Sequence, residues 1–212
     1  MTDKRLDDLQ IIKQVFDKYK VRFLVVYGAT LGWYRDGNFL PEDDDIDLAV
    51  IDPIDLKTRK AIGWTLYDLG FKPQQIMFNV FGRMEIAEMG YNGDDKSGII
   101  VCEKNTKFTI FFFGQPEPCK MHEEEIVCVP KLGSLKLIAS PSKFYKKLGE
   151  IKIGKQKYLC PAPIEDYLTF TYFNNWKDKT DRRHGHTYFE MHGIEKLEDI
   201  NNNNEATIWK NS

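Results

Sequence analysis

Four aspartates fall within five positions in the run Pro41-Glu42-Asp43-Asp44-Asp45-Ile46-Asp47-Leu48-Ala49-Val50. Carboxylates this dense repel one another. Folding them together is unfavourable unless a cation neutralises them or water solvates them. The residues that follow are apolar and β-prone, so the run leads into a buried strand. Asp45 and Asp47 stand two apart at its mouth, and a strand points such residues to one face. Paired there, they offer hard oxygen ligands suited to Mg²⁺ or Mn²⁺. Asp43 is a further ligand or orients the loop, whereas Asp44 is expected to point away and to be structural. A solvated acidic turn is the commoner fate of an acidic cluster, so the neighbouring elements decide.

Those elements favour chemistry. Val25-Val26-Tyr27-Gly28-Ala29-Thr30-Leu31-Gly32-Trp33 reads as a strand, a glycine turn and a short helix. Glycine lets a backbone approach a phosphate closely, and the first amides of a helix point at anions. Gly28 and Ala29 would supply that seat, and Thr30 a hydroxyl. Arg35, a little further on, steadies a phosphate or the acidic loop, or is a plain surface arginine. A phosphate seat followed by paired carboxylates is the equipment of nucleotidyl or phosphoryl transfer.

Tyr27-Gly28-Ala29-Thr30-Leu31-Gly32 through Arg35, then Gly37-Asn38-Phe39-Leu40-Pro41 and Asp43-Asp44-Asp45-Ile46-Asp47, resembles the signature of the LicD/fukutin family. A second match runs from Ile151-Lys152-Ile153 to Pro161-Ala162-Pro163-Ile164-Glu165-Asp166-Tyr167-Leu168 and Asn175-Trp176-Lys177. The resemblance implies a nucleotidyltransferase-like, DNA polymerase β-like fold. It implies Asp45 and Asp47 as metal ligands and catalytic residues, with Mg²⁺ or Mn²⁺ as cofactor. It also implies transfer of a phospho-alcohol, such as phosphocholine or ribitol phosphate, from a CDP-alcohol donor to a glycan or sugar acceptor. An NTP donor serves the same strand equally, for a nucleotidyltransferase acting on a small molecule or protein. A catalytically quiet ligand-binding relative is the third reading.

The chain departs from the family pattern in two places. Glu42 stands where tryptophan is frequent. More seriously, Thr109, in Phe108-Thr109-Ile110-Phe111-Phe112, stands where a later strand usually carries a third acid, which acts as metal ligand or general base. Either Glu85 or Glu88 substitutes, or water carries the proton, or ligand is bound without turnover; Glu85 is the favoured substitute. Arg83, on the same strand face, would contact phosphate. Trp176 either packs the C-terminal helix or covers the nucleotide. Two zinc readings are weak, one on His184, His186 and His192, the other on Cys119, His122 and Cys128. Both lack the paired repeats of a persuasive zinc site.

The 212 residues are 42% hydrophobic and 29% charged, with a net charge of −2. This composition befits a folded domain and gives no basic field for nucleic acid. The charged N-terminus has no apolar leader and no segment reads as a membrane span, so a cytoplasmic enzyme with reduced cysteines is expected. The expected fold class is α+β, a mixed sheet flanked by helices with a C-terminal helical element. One catalytic domain covers residues 1–199, followed by a polar tail over 200–212. Helices are expected over 3–19, 54–69, 141–149 and from Pro163. Strands are expected over 21–27, about 46–51 and several short stretches between 77 and 129, with hairpins at 92–95 and around Gly154.

Overall fold

The computed structural model describes residues 3–73, 91–93, 98–114, 117–119, 124–130 and 137–179. Glu85, Glu88, Arg83, His122, His184, His186, His192 and the tail lie outside them. So do the expected strands between 77 and 89.

The chain opens on helix α1 (Lys4–Lys18), which buries Leu9, Ile12, Val15 and Phe16 at helical spacing. Asp3 caps it, accepting from the Arg5 amide. Strand β1 (Leu24–Val25) leads into α2 (Tyr27–Arg35), and a loop then carries the chain to β2 (Asp45–Val50). Helix α3 (Leu56–Asp68) is capped by Asp55 and stops at Gly70, whose φ of 90° suits a helix end. Strands β3 (Lys72–Pro73), β4 (Tyr91–Gly93), β5 (Gly98–Glu103) and β6 (Lys107–Phe112) follow. After them come β7 (Glu117–Cys119), β8 (Glu124–Pro130) and β9 (Leu137–Pro141). The C-terminal part comprises the short α4 (Lys143–Lys146), β10 (Leu148–Ile153), β11 (Gln156–Pro161) and α5 (Ile164–Tyr172).

The main sheet runs β10-β11-β1-β2-β6-β5-β3, with β4 also paired to β5. It is mixed: β1 with β11 and β2 with β6 are parallel, and the other pairs are antiparallel. One face packs Ile46, Leu48, Val50, Phe108, Ile110 and Phe112 against α1 and α3. The other buries Leu24, Ala49, Ile99 and Phe111 with Phe144, Tyr167 and Leu168. The fold is therefore α+β, a mixed sheet flanked by helices.

Three expectations are corrected. The strand expected over 21–27 contracts to Leu24–Val25, because Tyr27 takes a φ of 50° and turns the chain into α2. The helix expected over 141–149 is the single turn Lys143–Lys146, since Leu148 already pairs with Pro161. The strand expected around 126–129 joins a separate sheet, β7-β8-β9, rather than the central one. Among the described residues, no helix is long and apolar enough to cross a membrane.

Candidate active site

The acidic residues are held from three sides. The loop from α2 closes tightly because Asp36 N and Asn38 N both donate to Gly32 O. A side chain at Gly32 would press on Asn38 O at 2.5 Å and Leu40 N at 3.0 Å, so only glycine permits this return. Phe39 is buried edge-on to Trp33, with the Arg5 guanidinium 4.8 Å from its ring centroid. Arg5 also donates to Leu40 O. Helix α1 thereby clamps the loop, and Asp43 N closes its last turn on Leu40 O.

Strand β2 then carries Asp45 and Asp47 on one face, with Ile46 and Leu48 fully buried on the other. Its parallel register with β6 sets Asp45 beside Lys107 and Asp47 beside Thr109. The start of β6 is fixed in turn by Asp8. This buried carboxylate of α1 accepts from the backbone amides of Asn105 and Thr106 and from Asn105 Nδ2.

Asp43, Asp44 and Asp45 bring carboxylate oxygens within 4.8 Å of one another. Asp44 therefore joins the cluster instead of pointing away, although its side chain is 90% exposed. Asp47 stands one pleat deeper. Burial, then the charge of Asp45, pushes the Asp43 carboxyl up to about 7. Burial also raises Asp47 well above its ordinary value, helped by Asp45 and Asp43, while Lys107 and a hydrogen bond from Thr109 act the other way. A set of oxygen-only donors that repel one another fits a hard divalent cation.

The helix α2 points its N-terminus at the same place. Val26 offers no side-chain cap, its amide donates to Asp47 O, and the Tyr27 amide donates to the Tyr167 hydroxyl. The first-turn amides of Gly28 and Ala29 have no acceptor within the helix itself. Gly28 is not the turn expected of it: the turn falls at Tyr27, and Gly28 lies inside the helix. Its missing Cβ admits the Asp43 carboxylate, which any side chain there would strike.

Two other expectations are corrected. The Thr30 hydroxyl is fully buried and donates to Val25 O at 2.8 Å, so it fastens α2 to β1 and is not presented to a phosphate. Arg35 donates to Trp176 O, Asp178 O and the Asp36 carboxylate. It ties α2 to the closing segment and is not aimed at a phosphate. Trp176 is buried and donates to Thr169 Oγ1, a packing role. Lys177 pairs with Glu165 at the surface.

Two residues at the site were not anticipated. Lys107 Nζ lies 3.1 Å from Asp45 Oδ2 and 3.6 Å from Asp44 Oδ1. The alternation Lys107-Phe108-Thr109-Ile110, polar then apolar, was the signal that would have found it. Tyr172, at the end of α5, is half-buried. Burial first, then the charges of Asp47 and Asp43, holds its hydroxyl protonated far above the usual range. No spacing in the sequence connects it to the aspartates.

The family described as LicD/FKTN/FKRP, nucleotidyltransferase domain, matches residues 20–162, from before β1 to the end of β11. Among solved structures, a lincosamide antibiotic adenylyltransferase, LnuA, bound to lincomycin, is similar at 16% identity and a TM-score of 0.45. The similarity covers 94% of this chain and 98% of that one. No curated protein matches the chain.

Proposed function

As the chain belongs to the LicD/FKTN/FKRP family through its nucleotidyltransferase domain, we propose that it is a metal-dependent transferase moving a phospho-alcohol from a CDP-activated donor to a glycan hydroxyl. Phosphocholine and ribitol phosphate are the groups we propose. The observation that carries this reading is the Asp43–Asp44–Asp45 oxygen cluster at the N-terminus of α2.

Asp45 and Asp43 would hold Mg²⁺ or Mn²⁺, with Asp47 behind them. Such an ion, when bound, neutralises charge developing on the phosphate and the leaving group. The chain's own groups do the rest. The Gly28 and Ala29 amides would donate to a phosphate oxygen at the helix start, positioning the donor. The acceptor hydroxyl attacks the phosphorus bearing the alcohol, and CMP departs. Glu85, read from the sequence alone, takes the hydroxyl proton, and Arg83 contacts phosphate.

One observation favours a second reading, a ligand-binding relative without turnover. Thr109 occupies the place of the third acid and spends its hydroxyl on Asp47.

Thermal-shift and calorimetric titrations with CDP-choline, CDP-ribitol and each NTP, with and without Mn²⁺, test the proposal. Metal-dependent stabilisation by a CDP-alcohol, followed by CMP release with a glycan acceptor, is the expected result. Stabilisation by an NTP alone moves the reading to nucleotidyl transfer. Binding without CMP release moves it to the quiet relative.

A further inference from the structure

Lys107 changes the charge of this site in a way that Thr109 reinforces. The register of β2 and β6 sets Lys107 against Asp45 and Thr109 against Asp47, on the face that carries the carboxylates. The Lys107 ammonium is 3.1 Å from Asp45 Oδ2 and 3.6 Å from Asp44 Oδ1. Its side chain is 30% exposed and that of Asp45 is 24% exposed, so the pair sits at the mouth of the site rather than in bulk solvent.

The site thus has a hydroxyl where a third strand carboxylate is expected, and a fixed cation next to it. Asp43, Asp44, Asp45 and Asp47, with Lys107 among them, carry three net negative charges when ionised, two of which one divalent cation cancels. A second divalent cation would reverse the sign of the site, with no added carboxylate on β6 to hold it. Lysine is a compact charge on a flexible four-carbon stem, so its ammonium can leave Asp45 without disturbing the strand. On leaving Asp45 it would meet a donor phosphate seated beside the Asp43–Asp44–Asp45 cluster.

We propose that Lys107 is a resident monovalent cation of this site, holding Asp45 and Asp44 until a single divalent ion binds and then contacting the donor phosphate in place of a second ion. This rests on the transferase reading above. Lys107 competes with the ion for Asp45 and cooperates with it toward the phosphate, so its removal shifts the two affinities in opposite directions. A merely structural lysine would not do this.

The test uses the full chain and two probes. Wild type, Lys107→Met, Lys107→Gln and Lys107→Arg are titrated with Mn²⁺ alone, read by electron paramagnetic resonance of the free ion. Inorganic pyrophosphate is then titrated by calorimetry at saturating Mn²⁺. Circular dichroism checks that each variant is folded. Wild type should bind one Mn²⁺. Lys107→Met and Lys107→Gln should bind Mn²⁺ about tenfold more tightly and pyrophosphate about tenfold more weakly, and Lys107→Arg should stay near wild type. Two Mn²⁺ ions in wild type, or unchanged affinities in both neutral variants, would overturn the assignment and leave the transferase reading standing. If wild type binds no Mn²⁺, both fail together.

Discussion

The carboxylate of Asp43 occupies the space that a side chain at Gly28 would fill. One residue lies in the first turn of α2 and the other ends the loop that returns from it. The absent Cβ is what lets the acidic run sit against the helix start. At an ordinary exposed helix position, alanine for glycine stabilises by about 1 kcal/mol. Here Gly28→Ala drives the Asp43 carboxylate away, so Mn²⁺ affinity should fall about tenfold, as when a supporting group around a metal site is lost. Gly32→Ala meets backbone rather than a side chain, at Asn38 O and Leu40 N. It should cost about 1–3 kcal/mol of stability. Calorimetric Mn²⁺ titration beside urea unfolding of both variants separates the two effects. Equal metal affinity in Gly28→Ala and wild type would remove Asp43 from the site.

The pH dependence of stability follows from the raised carboxyls. Asp43 is pushed from its ordinary 3.8 up to about 7, and Asp47 rises well above 3.8, both by burial and by neighbouring carboxylates. In the metal-free protein, the folded state keeps protons that the unfolded chain has already released above about pH 4. The unfolded state therefore binds fewer protons, and stability falls as pH rises from there through about pH 7. Binding a divalent ion expels those protons, so apparent affinity climbs over the same window. Scanning calorimetry from about pH 5 to pH 8 should show Tm falling with pH in EDTA and the Mn²⁺ increment growing. Asp47→Asn should flatten the EDTA curve. A Tm in EDTA that rises with pH across this range would contradict the assignment.

Asp45→Asn and Asp47→Asn separate function from stability. Each removes a negative charge from a cluster that repels itself without a cation, while keeping the shape of the side chain. In EDTA, Asp47→Asn should therefore be at least as stable as wild type. Transfer, measured as CMP release under the proposed reaction, should drop by about 10²-fold or more in either variant, because electrostatic stabilisation of the reacting phosphate is lost. This exchange of activity for stability is common where a site stores unfavourable charge. Full CMP release in the Asp45→Asn, Asp47→Asn double variant would remove both aspartates from the catalytic machinery.

The legibility of these features in the sequence follows how local their causes are. Helix α1 and the cap at Asp3 are visible because spacing and capping act within one or two turns. Asp45 and Asp47 share a face because strand alternation needs no tertiary information. The shortening of the strand expected over 21–27 was not visible, because its end is set by the φ of Tyr27 and by the Tyr167 hydroxyl, 140 residues away in sequence. Thr30 and Arg35 misled for the same reason. Residue type marks a donor, but the acceptors Val25 O, Trp176 O and Asp178 O become neighbours only once the chain is packed. Lys107 lies between these cases: its alternation was legible, whereas its partner followed from a parallel register across more than fifty residues.

Arg35 gives the sharpest distinction between a binding and a structural role. Its guanidinium donates to Trp176 O at 3.2 Å and Asp178 O at 3.4 Å, and its Nη2 is 2.8 Å from Asp36 Oδ2. Its side chain is only 9% exposed, so truncation leaves acceptors without a buried charged donor. Asp36 keeps one cation, Lys179 at 2.9 Å, but that lysine is exposed and a weak substitute. Arg35→Ala should therefore destabilise the fold by about 1–3 kcal/mol and loosen the segment that carries Trp176. Arg35→Lys should recover only part of this, since an ammonium cannot fork to carbonyls and a carboxylate together. A phosphate ligand would behave differently: Mn²⁺-dependent pyrophosphate affinity would fall while stability held. Urea unfolding and calorimetry on the same variants decide between the two, and the expected pattern is lost stability with near-normal pyrophosphate binding.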